Sequence, residues 1–215
     1  IIKPFNGVAL KNVPYNTPNS IKLKTDQANF FCKNSIKLQI FDIIKPPMIN
    51  KFLNTLSDTD IRSGIGEILK VHMLSGKEAV QQVIEQMAKY KNDRSVLSDM
   101  IFNSLKLKNH ILKIDPLDQG LRLKMNYGHS FGHALEAATN FGISHGIAVT
   151  IGLDIANYVG YKTDKLTTEE FNILHTALSS NLEASDFVDF EFNDFLSALK
   201  KDKKNDSENY NLIIP

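Results

Sequence analysis

Residues 120–152 read GLRLKMNYGHSFGHALEAATNFGISHGIAVTIG and hold three of the six histidines of the chain. The apolar pattern predicts helices over about 127–140 and 146–160, joined by a short loop. His129 and His133 are four apart, which puts both imidazoles on one face of the first helix, and His145 opens the second. Three imidazoles can therefore converge. Such a set suits Zn or a similar divalent ion, with a carboxylate completing the site and one position left for a substrate. Taken alone, an H-x-x-x-H pair reads equally well as part of an ordinary helix.

Upstream, Ser57 followed by Asp60 has the form of a capping box. The segment IRSGIGEILKVHML then carries Ile61, Ile65, Leu69 and Met73 at helical spacing. Glu67 lies inside this apolar helix. Facing the core, its carboxylate needs a cation or hydrogen-bond donors to offset desolvation; facing water, it is simply a good helix former. Further helices are predicted at about 77–91, 94–113, 168–179 and 192–201. Before Ser57 the texture differs. Five of the seven prolines fall in residues 1–56, and the β-branched and aromatic runs between them read as strands and loops. The expected organisation is an α/β segment, 1–56, followed by an all-α domain, 57–215. Gly7 is the only glycine before Gly64, so residues 1–56 offer no glycine-rich turn of the kind that lets backbone amides approach a dinucleotide pyrophosphate.

With 215 residues and 42% apolar content, the chain can bury a real core and fits roughly one or two domains. The formal charge of +1 argues against nucleic acid or membrane as a partner. That total conceals an asymmetry, because residues 1–56 carry eight Lys against Asp26 and Asp42, a local +6. A basic segment of this kind suits phosphorylated metabolites or forms a solvated surface. Cys32 is the only cysteine, which excludes an internal disulfide and, with no signal-peptide pattern or long apolar run, leads to the expectation of a cytoplasmic protein.

Four blocks in order, R-S-G-I-G-E-I-L-K, G-L-R-x-x-x-N-Y-G-H-S-F-G-H-A-L-E, H-G-x-A-V-x-I-G and D-K-K-N, resemble the dehydroquinate synthase family of sugar-phosphate cyclases. The resemblance implies a dehydroquinate synthase-like fold and a divalent metal, Zn or Co, held by Glu67, His129 and His145, with His133 as an additional active-site histidine. It implies substrate contacts at Lys70, Lys108, Arg122, Asn126 and Lys203. Those side chains suit the task, since Lys and Arg neutralise phosphate and carboxylate while Asn126 can hydrogen-bond a hydroxyl in either sense. A weaker echo in SIKLKTDQANFFCKN, residues 20–34, places Lys24, Lys33 and Asn34 at substrate or cofactor positions, although Lys22 and Leu23 stand where the family has glycines. Ile147 replaces a Glu after His-Gly, and Pro116 replaces an acidic residue.

By resemblance the substrate is a phosphorylated seven-carbon sugar acid, NAD supplies a transient oxidation, phosphate is eliminated and the ring closes; the full-length enzyme is expected to be a homodimer. The family's Gly-Gly-Gly turn and ribose-binding acid are not found here, so the chain is expected to be a piece of a longer polypeptide without cyclase activity alone. Alternative readings are a cyclase acting on another seven-carbon sugar phosphate or a hexose phosphate, a metal-dependent alcohol dehydrogenase, and a degenerate non-catalytic chain. Arg122 and the Asp202-Lys203-Lys204 run count against the dehydrogenase, which needs no anion-binding set.

Overall fold

Ser57 and Asp60 cap each other reciprocally in the computed structural model, which describes residues 53–117, 120–201 and 212–215. The Ser57 hydroxyl accepts from the Asp60 N–H at 3.1 Å, and the Asp60 carboxylate accepts from the Ser57 N–H at 3.2 Å. Two of the amide donors at the helix start are thereby satisfied, and α1 (Asp58–Ser75) begins where the capping pattern places it. The helices that follow are α2 (Lys77–Met87), α3 (Arg94–Ile114), α4 (His129–Ala138), α5 (His145–Lys162), α6 (Thr168–Ser179) and α7 (Phe192–Lys200), with short 3-10 turns at Leu121–Asn126 and Ala184–Asp186. Among the described residues the architecture is all-helical, with no strand. The expected α/β segment, 1–56, falls almost wholly outside the described residues. No described helix is long and apolar enough to cross a membrane.

Helix limits differ from expectation where local chemistry intervenes. Gly128 takes a left-handed φ of 74°, a conformation that costs glycine little, so α4 starts at His129 rather than near 127. Helix α3, by contrast, starts at Arg94 as the spacing predicts, where the Asp93 side chain accepts from the Ser95 N–H at 2.9 Å.

Helix α5 packs against α1, α4 and α6, while α4 also packs against α7, and α2 and α3 lie on α1. Ile65 and Leu69 of α1 meet a core that includes Ile147, Val149 and Leu153 of α5 and Leu178 of α6, all fully buried. Each such side chain stabilises the fold by roughly 1.5–3 kcal/mol relative to exposure. Ile147 is therefore a core residue in this chain. The apolar stripe of α1 ends on His72 rather than Met73; His72 is fully buried, and its Nδ1 lies 2.8 Å from the Ile68 carbonyl.

Two features draw α1 tightly onto α5. The crossing uses Gly66 and Gly146: a Cβ on Gly66 would collide with the Gly146 carbonyl oxygen, and one on Gly146 with the Ser63 carbonyl. The backbones can approach this closely only because neither glycine carries a side chain. The Gly146 N–H, an unpaired donor of the first turn of α5, then finds the Ser63 hydroxyl at 3.0 Å. A buried polar pin holds the other side of α1. The Arg62 guanidinium donates to both oxygens of Asp186 and to the Asn181 carbonyl, while the Asn181 amide donates back to the Arg62 carbonyl at 2.9 Å.

Candidate metal centre

Because Glu67 follows Gly66 and His145 precedes Gly146, the glycine crossing brings those two side chains together. Glu67 Oε1 lies 3.5 Å from His145 Nε2 and 3.6 Å from His129 Nε2. This oxygen is buried and has no hydrogen-bond partner. His129 and His133, one turn apart on α4, have ring centroids 5.3 Å apart, and those of His145 are 5.4 and 5.8 Å from them. Each of the three imidazoles offers a ring nitrogen within 4.8 Å of the others.

The donor set fits a divalent ion. Two ligands bound about 2.0–2.2 Å from one tetrahedral ion stand roughly 3.4 Å apart, close to the separations of Glu67 Oε1 from the two Nε2 atoms. An unpartnered buried carboxylate oxygen is costly unless a cation or donor faces it, and a bound ion supplies that charge. The other ring nitrogens are engaged from behind. His129 Nδ1 is 3.3 Å from the Tyr127 carbonyl, and His145 Nδ1 is 3.2 Å from Glu136 Oε1.

Lys70, one turn beyond Glu67 on α1, is buried rather than solvated, with 3% of its surface exposed. Its ammonium donates to Glu67 Oε2 at 2.7 Å and lies 3.3 Å from His129 Nε2. Burial lowers the Lys70 pKa, the Glu67 carboxylate pulls it back up, and the charge of Lys108 adds a further downward push. That last effect places the exposed Lys108 of α3 within electrostatic reach of the cluster. Burial pushes the Glu67 carboxyl up, but the Lys70 hydrogen bond and charge, helped by the two histidines, hold it below the ordinary carboxylate value. His129 is pushed down to about 4, first by burial and then by the Lys70 charge, so its ring is neutral near neutral pH and its nitrogen is available as a ligand.

Other expected site residues are placed differently. Arg122 and Asn126 sit on the 3-10 turn leading into α4, which packs against α1 and α3. Arg122 Nη1 donates to the Pro116 carbonyl at 3.4 Å, and Asn126 Nδ2 donates to the Leu123 carbonyl at 3.0 Å, so both engage their own loop rather than the histidines. Lys24, Lys33, Asn34 and Lys203 lie outside the described residues. Two contributors were not assigned from sequence. Ser63 bridges to Gly146, and Glu136 backs His145. Glu136 closes the quoted G-H-A-L-E block, but nothing in that spacing shows which side chain it meets.

A family model described as 3-dehydroquinate synthase C-terminal matches residues 64–205. A 3-dehydroquinate synthase from Idiomarina loihiensis is 32% identical over 166 residues, covering 76% of this chain and 46% of that protein. One from Dictyoglomus thermophilum is 32% identical over 168 residues, covering 77% and 47%. One from Helicobacter pylori strain HPAG1 is 28% identical over 222 residues, covering 98% of this chain and 61% of that protein. The chain thus spans about half the length of the curated relatives it matches.

Proposed function

The chain belongs to the 3-dehydroquinate synthase family, and on that premise we propose that it forms the metal- and substrate-handling part of a lyase that eliminates phosphate from a seven-carbon sugar acid phosphate and closes a carbocycle. The observation that carries this reading is the unpartnered Glu67 Oε1 facing His129 Nε2 and His145 Nε2. In this proposal residues 57–215 are the metal and substrate domain, and residues 1–56, with Lys24, Lys33 and Asn34, belong to the nucleotide side.

Glu67, His129 and His145 would hold the ion, Zn or Co, which supplies Lewis-acid polarisation of substrate oxygens, as NAD supplies transient oxidation. The chain's own residues bind and orient. The buried Lys70 ammonium presents a positive charge beside the ligands, where a substrate anion gains most from a low-dielectric setting. Lys108, Arg122 and Lys203 neutralise phosphate and carboxylate, and Asn126 binds a hydroxyl. This assignment requires Arg122 and Asn126 to exchange their loop carbonyls for substrate. His133 is exposed and close to both ligand imidazoles, which suits it to pass a proton between substrate and solvent. The anion-binding set favours this reading over a simple alcohol dehydrogenase.

The test joins a metal titration to a phosphate-release assay on the protein carrying this chain, with the seven-carbon sugar acid phosphate, NAD and Zn or Co supplied. The expected result is one bound ion and NAD-dependent phosphate release, both lost in Glu67→Ala and His129→Ala. Stoichiometric metal binding that survives both substitutions would refute the site. Metal binding without phosphate release from that substrate would refute the reaction.

A further inference from the structure

The centre has a second layer in which the two ligand imidazoles are treated alike. Each has Nδ1 against an oxygen and Nε2 toward Glu67 Oε1. For His129 the oxygen is the backbone carbonyl of Tyr127, fixed by the chain path. For His145 it is a side chain, Glu136 Oε1 at 3.2 Å. We propose that Glu136 is a positioning residue for the metal centre: its carboxylate holds the His145 ring in the orientation and tautomer that present Nε2 to the ion. The proposal rests on the metal reading above and adds a residue to it.

His145 is the first residue of α5, and its side chain is 47% exposed. Packing alone leaves such a ring free to rotate, which scatters its lone pair over directions that miss Glu67. The Glu136 side chain, by contrast, is only 13% exposed. Its backbone is also anchored, since the Glu136 carbonyl accepts from the Phe141 N–H at 2.7 Å where the loop leaves α4. A well-placed, acceptor-only carboxylate selects the tautomer with the proton on Nδ1 and the lone pair on Nε2. The sequence carries the means, because Glu136 lies three residues beyond His133 on α4, close to the ring that opens the next helix.

The experiment titrates the full chain with Co²⁺ alone, followed by its visible ligand-field absorption, and repeats the titration with Zn²⁺ by competition, for wild type, Glu136→Ala, Glu136→Gln and His145→Ala. Loss of an outer partner of a ligating histidine typically weakens binding by about 10- to 100-fold, which is the loss expected for Glu136→Ala, along with a changed Co²⁺ spectrum. Glu136→Gln should recover most of the affinity, because the amide oxygen still accepts from Nδ1–H. The melting temperature of the metal-free protein should barely move in either variant. Unchanged affinity and spectrum in Glu136→Ala, with binding lost in His145→Ala, would overturn the positioning role while leaving the metal centre intact. A lowered metal-free melting temperature without rescue by Gln would overturn it in favour of a packing role. A wild-type chain that binds neither ion would overturn the metal reading and this inference with it.

Discussion

Gly66→Ala and Gly64→Ala, two residues apart on α1, should move stability in opposite directions. Alanine in an exposed mid-helix site normally stabilises by about 0.5–1 kcal/mol relative to glycine, because less backbone entropy is lost on folding. Gly64 is exposed, and a Cβ there meets nothing within 4 Å, so Gly64→Ala receives that gain in full. At Gly66 the added Cβ overlaps the Gly146 carbonyl oxygen and falls 2.5 Å from Thr150 Oγ1 and 2.9 Å from the Gly146 carbonyl carbon. Neither neighbour can yield by a simple rotamer change, since one is backbone and the Thr150 hydroxyl donates to the Gly146 carbonyl at 2.7 Å. Overpacking of a tight core costs about 1–3 kcal/mol, and a collision with helix backbone belongs at or above the upper end. Subtracting the helix-propensity gain leaves a net loss of about 2 kcal/mol for Gly66→Ala, so the two variants differ by about 3 kcal/mol. With a urea m-value of about 2 kcal/mol/M, their unfolding midpoints should separate by about 1.5 M at unchanged m. Because the same crossing sets Glu67 against His145, Gly66→Ala should also weaken metal binding, whereas Gly64→Ala should not. A Gly66→Ala midpoint equal to or above that of Gly64→Ala would refute the close crossing, and with it the account of how the site is assembled.

Asp186→Ala removes one partner of a pair in which both side chains are less than a tenth exposed, leaving the Arg62 guanidinium short of its main acceptor. Stranding one charge of such a pair costs about 3–5 kcal/mol, here reduced because Glu183 lies 3.3 Å from Arg62 Nη2, so a loss of about 3 kcal/mol is expected in urea unfolding. Glu170 accepts from the Thr167 N–H and pairs with Lys77, and its carboxyl is held down at about 2, first by the Lys77 contact and then by the Thr167 cap. A depressed carboxyl stabilises the fold only while ionised. The stability difference between wild type and Glu170→Ala should therefore be constant above the ordinary value of 4.5 and shrink as the pH falls from there toward about 2. Urea midpoints across that window check it, and a difference that does not change with pH would show that the carboxylate charge contributes nothing.

Among the described residues, the sequence by itself determined the helices and where most of them begin and end. Helical spacing, the Ser57 and Asp60 cap and the four-residue step from His129 to His133 are local quantities, set by 3.6 residues per turn and by hydrogen bonds within one turn, so they could be read without knowing the rest of the chain. The spacing also put His145 at or near the start of a helix. Whether Glu67 faces water or the histidines was open at that level, because 62 and 78 positions separate it from His129 and His145. Only the crossing of α1 and α5 at Gly66 and Gly146 decided it, since the absence of two side chains lets the backbones close to contact. The same crossing changes what Lys70 is. A lysine on an exposed helix face is solvated, but here burial together with Glu67 and His129 makes it a charge in the wall of the site. The parts played by Glu136 and Ser63 are not legible in the sequence for a related reason. Their roles are contacts with other helices, and helical periodicity describes the faces of one helix but not which residue of another will meet them.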